Sequence, residues 1–497
     1  MTQLAARERM PAAHHPWLGW VCGLLLVAGM LGAGLVITGD FARTVLTGAV
    51  VLALAVAALS SPVIAAIALL GAMFLRVAFT GVFPEDPFVV AFALMALSYW
   101  MWTKRTVDRL RGVGRVELAM GLFLLWNVYS MLAQHKYTAE DHLTNEIISL
   151  PRLIVTGTMI PFALYVVGRC AFDKESKVRA LLWSVLAISG YSAAVSIMQF
   201  TGPTDWIWPR YIVDGEEDNW IGRASGVLNQ PVANGMVLAL GFVIAMVLIS
   251  RREEPAWRKW LATVIAIACG FGLYLTHTRA AWLSGVVMLL LGAAMARGYR
   301  RGFVAALALA VTVAAVNWSL FTSSNRDAGG VGSKGEVEDR LNSMKTAIWA
   351  TEENPVAGWG IGRFQAVNTY HHMQWAPDVP WERGYGIVSH SNELGIAAEL
   401  GLVGLGLWLV LLGVIIYRLV GGFSAAPAES LCGRPLAMIA IIAVAIMLCS
   451  GLTVDLRFFD FAPAVVFLIA GVAVGWFDRS QRSKHPGHLT RESWAVR

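Results

Sequence analysis

Charge is scarce in this sequence. Of its 497 residues only 14% are Asp, Glu, Lys or Arg, while 57% are hydrophobic and the mean hydropathy is +0.60. A soluble globular domain carries about 25% charged residues, so the shortage excludes one and indicates a chain embedded in lipid. Cysteine is also scarce. The five present, Cys22, Cys170, Cys269, Cys432 and Cys449, lie in or beside apolar runs or short connectors. None lies in the one long polar segment, so that segment has neither a disulfide framework nor a CxxC metal site. A clear small-residue cleavage site is missing after the first apolar run, Trp17 to Ile37. Arg7 and Arg9 therefore precede a retained first helix rather than a signal peptide. The net charge of +6 would suit nucleic acid, but the basic residues fall in short clusters between apolar runs. Clusters of that kind are topology signals, and no nucleic acid is expected as a partner.

Apolar runs dominate what is there. A spanning helix needs roughly 17 to 25 mostly apolar residues, and lipid offers no partner to an exposed backbone group. The sequence accordingly predicts an all-α integral membrane protein of about 12–14 transmembrane helices. Fourteen segments qualify, near 18–37, 43–59, 62–79, 86–103, 116–133, 150–168, 178–200, 232–250, 259–275, 280–296, 302–321, 391–417, 435–453 and 461–477. The second and third are short and meet at Ser60-Ser61-Pro62. The chain divides into a tail (1–16), N-terminal helices (17–200), helices with polar turns (201–321), a large loop (322–390), C-terminal helices (391–477) and a second tail (478–497).

Charge tests the alternation. With the N-terminus inside, the inner connections hold Lys104, Arg105, Arg109, Arg111 and Arg115; Arg169, Lys174, Lys177 and Arg179; Arg251, Arg252, Arg258 and Lys259; Arg297, Arg300 and Arg301; Arg418 and Arg434; and the basic tail from Arg479. Every cluster falls on one side, which predicts both termini in the cytoplasm. The outer segments have only scattered basic residues. Arg223, Arg279, Arg340 and Arg363 run against the topological bias, beside glycines and helix ends, and invite a chemical explanation.

The loop before Gly404 is the one long polar stretch. At about seventy residues it exceeds what a helix connection needs. Its Trp349, Trp359, Phe364, Tyr370, Trp375 and Trp381 give it aromatic surface to bury. Leu341, Met344 and Ile348 fall at helical spacing and predict a short amphipathic helix on the membrane or the bundle. Gly358-Trp359-Gly360-Ile361-Gly362 is no dinucleotide fingerprint, because no strand precedes it. Tyr370-His371-His372 makes a poor metal site, since adjacent histidines diverge and no Cys or acidic cluster accompanies them.

Several residues are suited to chemistry. Arg279 lies between two spans with almost no loop. It reads either as a clamp for an anionic headgroup, by bidentate guanidinium–phosphate pairing, or as a snorkelling anchor. Arg223 precedes a turn punctuated by Gly226 and Pro231, with Asn229 or Asn234 expected to cap the helix that follows, which makes an anion site or a plain loop. His390 stands where the loop meets a span. A neutral imidazole there can take a proton from a hydroxyl, unless Ser391 and Asn392 mark only a helix start. Glu393 is three residues on, on the same helical face. Glu399 lies deeper, where an acid is costly and often functional. Asp455, Arg457 and Asp460 form a polar wall or pair with one another.

Together these residues resemble the O-antigen ligase and polymerase superfamily of bacterial membrane glycosyltransferases. The match is His390-Ser391, nine residues, then Gly401-Leu402-Val403-Gly404. Arg340, Trp349 and Asn354-Pro355-x-x-Gly358 support it, as do Thr276-x-Thr278-Arg279 and Arg223-x-x-Gly226. The likeness covers about 220–410, and elsewhere it is one of hydropathy. A commoner count in that family is twelve spans. The resemblance implies a GT-C-type bundle with one large extracytoplasmic loop in the bacterial inner membrane. It implies a lipid-linked oligosaccharide or polysaccharide donor, an undecaprenyl diphosphate, and a glycolipid or glycan acceptor such as the lipopolysaccharide core, or a protein. Arg223, Arg279 and Arg340 would grip the diphosphate, Ser391 and Glu393 would border the substrate, and His390 would activate the acceptor hydroxyl without cofactor or metal. A repeat-unit polymerase would use the same grip. A transporter would show internal repeats and midplane charges, which are not evident here.

Overall fold

The computed structural model describes residues 52–79, 86–105, 113–142, 144–214, 220, 222–325, 330–382 and 386–484. They form an all-α bundle. The helices are α1 Pro62–Phe74, α2 Pro87–Arg105, α3 Arg115–Leu132, α4 Leu150–Ala171, α5 Glu175–Thr201, α6 Pro231–Ile249, α7 Ala256–Leu275 and α8 Arg279–Met295. Then come α9 Arg300–Val316, α10 Lys334–Glu353, α11 Phe364–His371, α12 Asn392–Ala425, α13 Arg434–Gly451 and α14 Phe461–Lys484. Among the described residues the only strands are the two-residue pair Glu140–Asp141 and Glu146–Ile147.

The helix starts follow local chemistry. Ser61, extended at the break after residues 52–60, accepts the Val63 N–H, and Pro62 follows at the first helical position. The cap before Pro231 is Gln230, not Asn229 or Asn234: its side chain accepts the Ala233 N–H at 2.7 Å. Each arrangement satisfies a backbone donor that the helix itself cannot.

Among the described residues seven helices are long and apolar enough to cross a membrane: Leu150–Ala171, Glu175–Thr201, Pro231–Ile249, Ala256–Leu275, Asn392–Ala425, Arg434–Gly451 and Phe461–Gln481. The other spans expected between 62 and 321 are helices too, but shorter or less apolar. The 13 residues of α1 reach about 20 Å, short of a hydrocarbon core of about 30 Å. The expected span at 18–37, the start of that at 43–59, and the ends of both tails lie outside the described residues.

α6, α13 and α14 form the interior and are apolar all round, as a fully enclosed helix must be. α14 lies directly along α4, where a Cβ on Gly471 or Gly475 would meet the backbone of Tyr165 or Arg169. Small residues matter here because lipid gives helices no hydrophobic reason to associate, leaving close backbone packing to do it. In α4 a π-turn at Val155–Met159 precedes Pro161, whose missing N–H disrupts the regular ladder. Gly157 of that turn abuts the backbone of Arg457.

The amphipathic helix expected around 341–348 exists as α10, but its buried face differs. Leu341, Met344 and Ile348 are half-buried, while Asp339, Asn342, Ser343, Thr346, Ala347 and Ala350 are buried. These polar side chains serve the loop. Asn342 donates to the carbonyls of Val379 and Pro380 and accepts from Trp375 N–H; Thr346 accepts from Met373 N–H; Asp339 accepts from Glu382 N–H; Ser343 donates to the Val388 carbonyl at 3.1 Å. Irregular backbone brought inside must find partners, and α10 provides them.

Candidate functional site

Three of the sequence-nominated arginines converge. Arg223, Arg279 and Arg340 line one shallow cleft with His277, Thr278, Val331, Glu336 and Val337. Arg223 comes from the turn before α6, which is held to the end of α7 by the Ala224 N–H on the Leu275 carbonyl at 2.9 Å. Asn234 of α6 braces the turn by donating to the Ala224 carbonyl. Arg279 opens α8 and donates to the Val331 carbonyl. Arg340 is half-buried on α10. Guanidinium 223 pairs with Glu336 at 3.1 Å and lies 5.9 Å from the centre of the Trp220 ring.

Thr278, the residue before α8, turns its hydroxyl to the Thr276 carbonyl and caps nothing. The first N–H groups of α8 thus start beside three cations. The cleft combines planar bidentate donors with a helix N-terminus, which suits an anion with several oxygens.

His390 stands in the segment that leads into α12. It is half-buried, with left-handed backbone at φ +48°. Glu336, Arg340 and Ser343 lie at successive (i, i+4) and (i, i+3) spacings, hence on one face of α10. The first two line the cleft, and the third holds Val388, two residues before His390. Ser391 is the N-cap of α12, its hydroxyl accepting the Leu394 N–H at 3.4 Å. Glu393 is half-buried; one oxygen takes a 3.3 Å bond from Asn392, and the other is buried with no hydrogen-bond partner.

Beneath this turn is a buried ionic network. Arg457 pairs with Asp455 at 2.5 Å and with Glu399 at 2.7 Å. Burial works against its charge, but the two carboxylates outweigh that and keep the guanidinium charged. Glu399 also accepts the N–H groups of Gly362 and Phe364, both at 2.9 Å. Ser389 donates to the Ser391 carbonyl at 2.8 Å, spanning His390, and lies 3.3 Å from Asp455. Gly395 lets the network pack on α12, since a Cβ there would meet Ser389 Oγ at 2.5 Å and Asp455 Oδ2 at 2.6 Å. Asp460 pairs elsewhere, with Arg76.

Gly401 explains its own motif. Its backbone, at φ 69° and ψ −176°, breaks α12. The Ala398 and Glu399 carbonyls, relieved of helical partners, accept the N–H groups of Trp359 and Gly360 at 2.9 and 2.8 Å, and the Pro355 carbonyl accepts the Leu402 N–H at 2.7 Å. The segment after Asn354-Pro355 is thereby stitched into the break.

Other residues are occupied differently. Arg363 donates to the carbonyls of Tyr137 and Ile361 at 2.8 and 3.0 Å and does not line the cleft. His371 meets the Tyr137 hydroxyl at 2.6 Å, and His372 lies edge-on to Trp381. Among the described residues no three His, Cys, Asp or Glu side chains group so as to hold a metal ion. Sequence reasoning missed His277, whose neighbour Arg279 drew the attention, and Glu336, which local spacing could not connect to Arg223.

Residues 261–409 match the family model described as O-antigen ligase. No curated protein matches the chain.

Proposed function

We propose, from the match of residues 261–409 to the O-antigen ligase family model, that the chain transfers a glycan from a lipid diphosphate to an acceptor hydroxyl. The acceptor is lipopolysaccharide core or protein, and the reaction runs at the outer face of the inner membrane. Arg223, Arg279 and Arg340 hold the diphosphate. The acceptor oxygen attacks the anomeric carbon, and the bond from that carbon to the phosphate oxygen breaks. Its electron pair stays on the diphosphate, where the guanidiniums stabilise the developing charge. His390 takes the hydroxyl proton. Ser391 holds the turn behind His390, and Glu393 favours the charged imidazole.

One observation carries this reading: three arginines separated in sequence line a single cleft on the helix face that also anchors the His390 turn. The test is deletion in the host, followed by gels of surface glycans and glycoproteins. Long chains retained on the carrier but not attached are expected; loss of the long chains themselves would mean a polymerase. Complementation by Arg279→Lys should fail, with donor binding weakened about tenfold or more, since Lys keeps the charge but loses the planar fork. Full activity in Arg279→Ala would reduce Arg279 to an interfacial anchor.

A further inference from the structure

His277 is the one imidazole lining the arginine cleft, and the mechanism above gives it no task. Its Nδ1 lies 2.6 Å from the Gly222 carbonyl. A carbonyl can only accept, so the proton resides on Nδ1 and the lone pair on Nε2. Three aromatic rings set the imidazole plane edge to face: Phe200 and Tyr274 at 5.5 Å and Trp282 at 6.3 Å, with interplanar angles of 86–88°. The side chain is 7% exposed and its backbone is left-handed at φ +41°. This is an orientation that an ordinary turn residue has no need of.

The surroundings of His277 favour the neutral ring. Burial pushes its pKa below the usual histidine range, and the Gly222 carbonyl pulls part of the way back by favouring the doubly protonated ring. The titratable and charged groups around it are Arg223 of the preceding turn, Tyr274 of α7, Arg279 of α8, and Glu336 and Arg340 of α10. A diphosphate entering among them adds negative charge beside the ring, whose Nδ1 is already taken by the Gly222 carbonyl.

We propose that His277 is a fourth ligand of the diphosphate, taking up a proton when the anion binds and donating it from Nε2 as a charged hydrogen bond. This rests on the cleft being the diphosphate site. Binding is then linked to proton uptake: the anion raises the pKa of His277, and low pH favours the anion. The arginines fix charge independently of pH, whereas His277 adds charge only when an anion is present.

The experiment is titration calorimetry of the full-length protein in detergent with farnesyl diphosphate, at one pH near 7, in two buffers of different ionisation heat. The wild type is expected to take up more protons per ligand than His277→Asn, a substitution that tolerates left-handed backbone; His277→Gln serves as a second variant should that one fail to fold. Affinity should drop about tenfold in the variants, and more at pH 6 than at pH 8. Equal proton uptake in wild type and variants would overturn the proposal, assigning any uptake to the ligand or another residue. No binding of farnesyl diphosphate to the wild type would overturn the diphosphate site itself.

Discussion

Arg457 shows what a residue's surroundings demand. It is buried, and its charge is tolerated only because Asp455 and Glu399 both reach it. Removing one partner of such a group typically costs about 3–5 kcal/mol. Glu399→Gln should therefore lower the melting temperature of the purified protein sharply, and should free the 362–364 segment as seen by faster protease cleavage. At His390 the two readings separate by substitution. If His390 is a base, His390→Ala inserts and binds lipid diphosphate normally but loses about 10²–10⁴-fold in turnover. Near-wild-type turnover in His390→Asn would rule the base out. At His277 the pH sign follows from burial. The folded ring binds protons less readily than the unfolded one, so the stability it contributes is complete above the ordinary value of 6.5 and is lost as pH falls from there through the lower folded value. Comparing wild type with His277→Gln between pH 8 and 5 should show a flatter melting profile in the variant.

At the scale of elements, α10 and α12 carry the loop. α10 offers a row of side-chain hydrogen bonds, and α12 offers a break. Gly401 is left-handed, and a Cβ on it would run into the Val356 carbonyl. Gly401→Ala should cost at least about 1–2 kcal/mol from backbone strain alone and should loosen the stitch to Trp359 and Gly360. Proteolysis within 354–390 should accelerate while helix content stays near normal. Leu402→Ala, at a 54% exposed position, should leave both unchanged. The consensus glycine was readable from sequence, but its reason was not. A motif records that a small residue is required, while the colliding carbonyl lies 45 positions away.

At the scale of the molecule, one end of the bundle collects ion pairs. Arg169 bridges Glu117 and Asp478, Arg418 also meets Asp478, and Arg179 pairs with Glu254. These come from connections that the charge pattern assigned to the cytoplasm. Reporter fusions after Arg252 and Arg301 should therefore read as cytoplasmic, and fusions near Gly330 and Asp214 as external. A cytoplasmic reading at Gly330 would sink the mechanism, because the arginines and His390 would no longer share a compartment with an outward-facing donor.

Hydropathy and spacing by themselves determined the membrane class, the helix starts at Ser61-Pro62 and Ser391, and the unusual standing of Arg223, Arg279 and Arg340. Those are local properties, fixed by the residue and its near neighbours. Only the tertiary structure decided which arginine faces a cleft and which is consumed in scaffolding. Arg363 looked as free in sequence as Arg223, and Arg457 offered only its loop neighbours as partners, yet Arg457 is also bound by a glutamate 58 positions away, and Arg223 meets its partner 113 positions away. An arginine's availability depends on which acceptors folding brings within about 3 Å of it, and no local pattern contains that information.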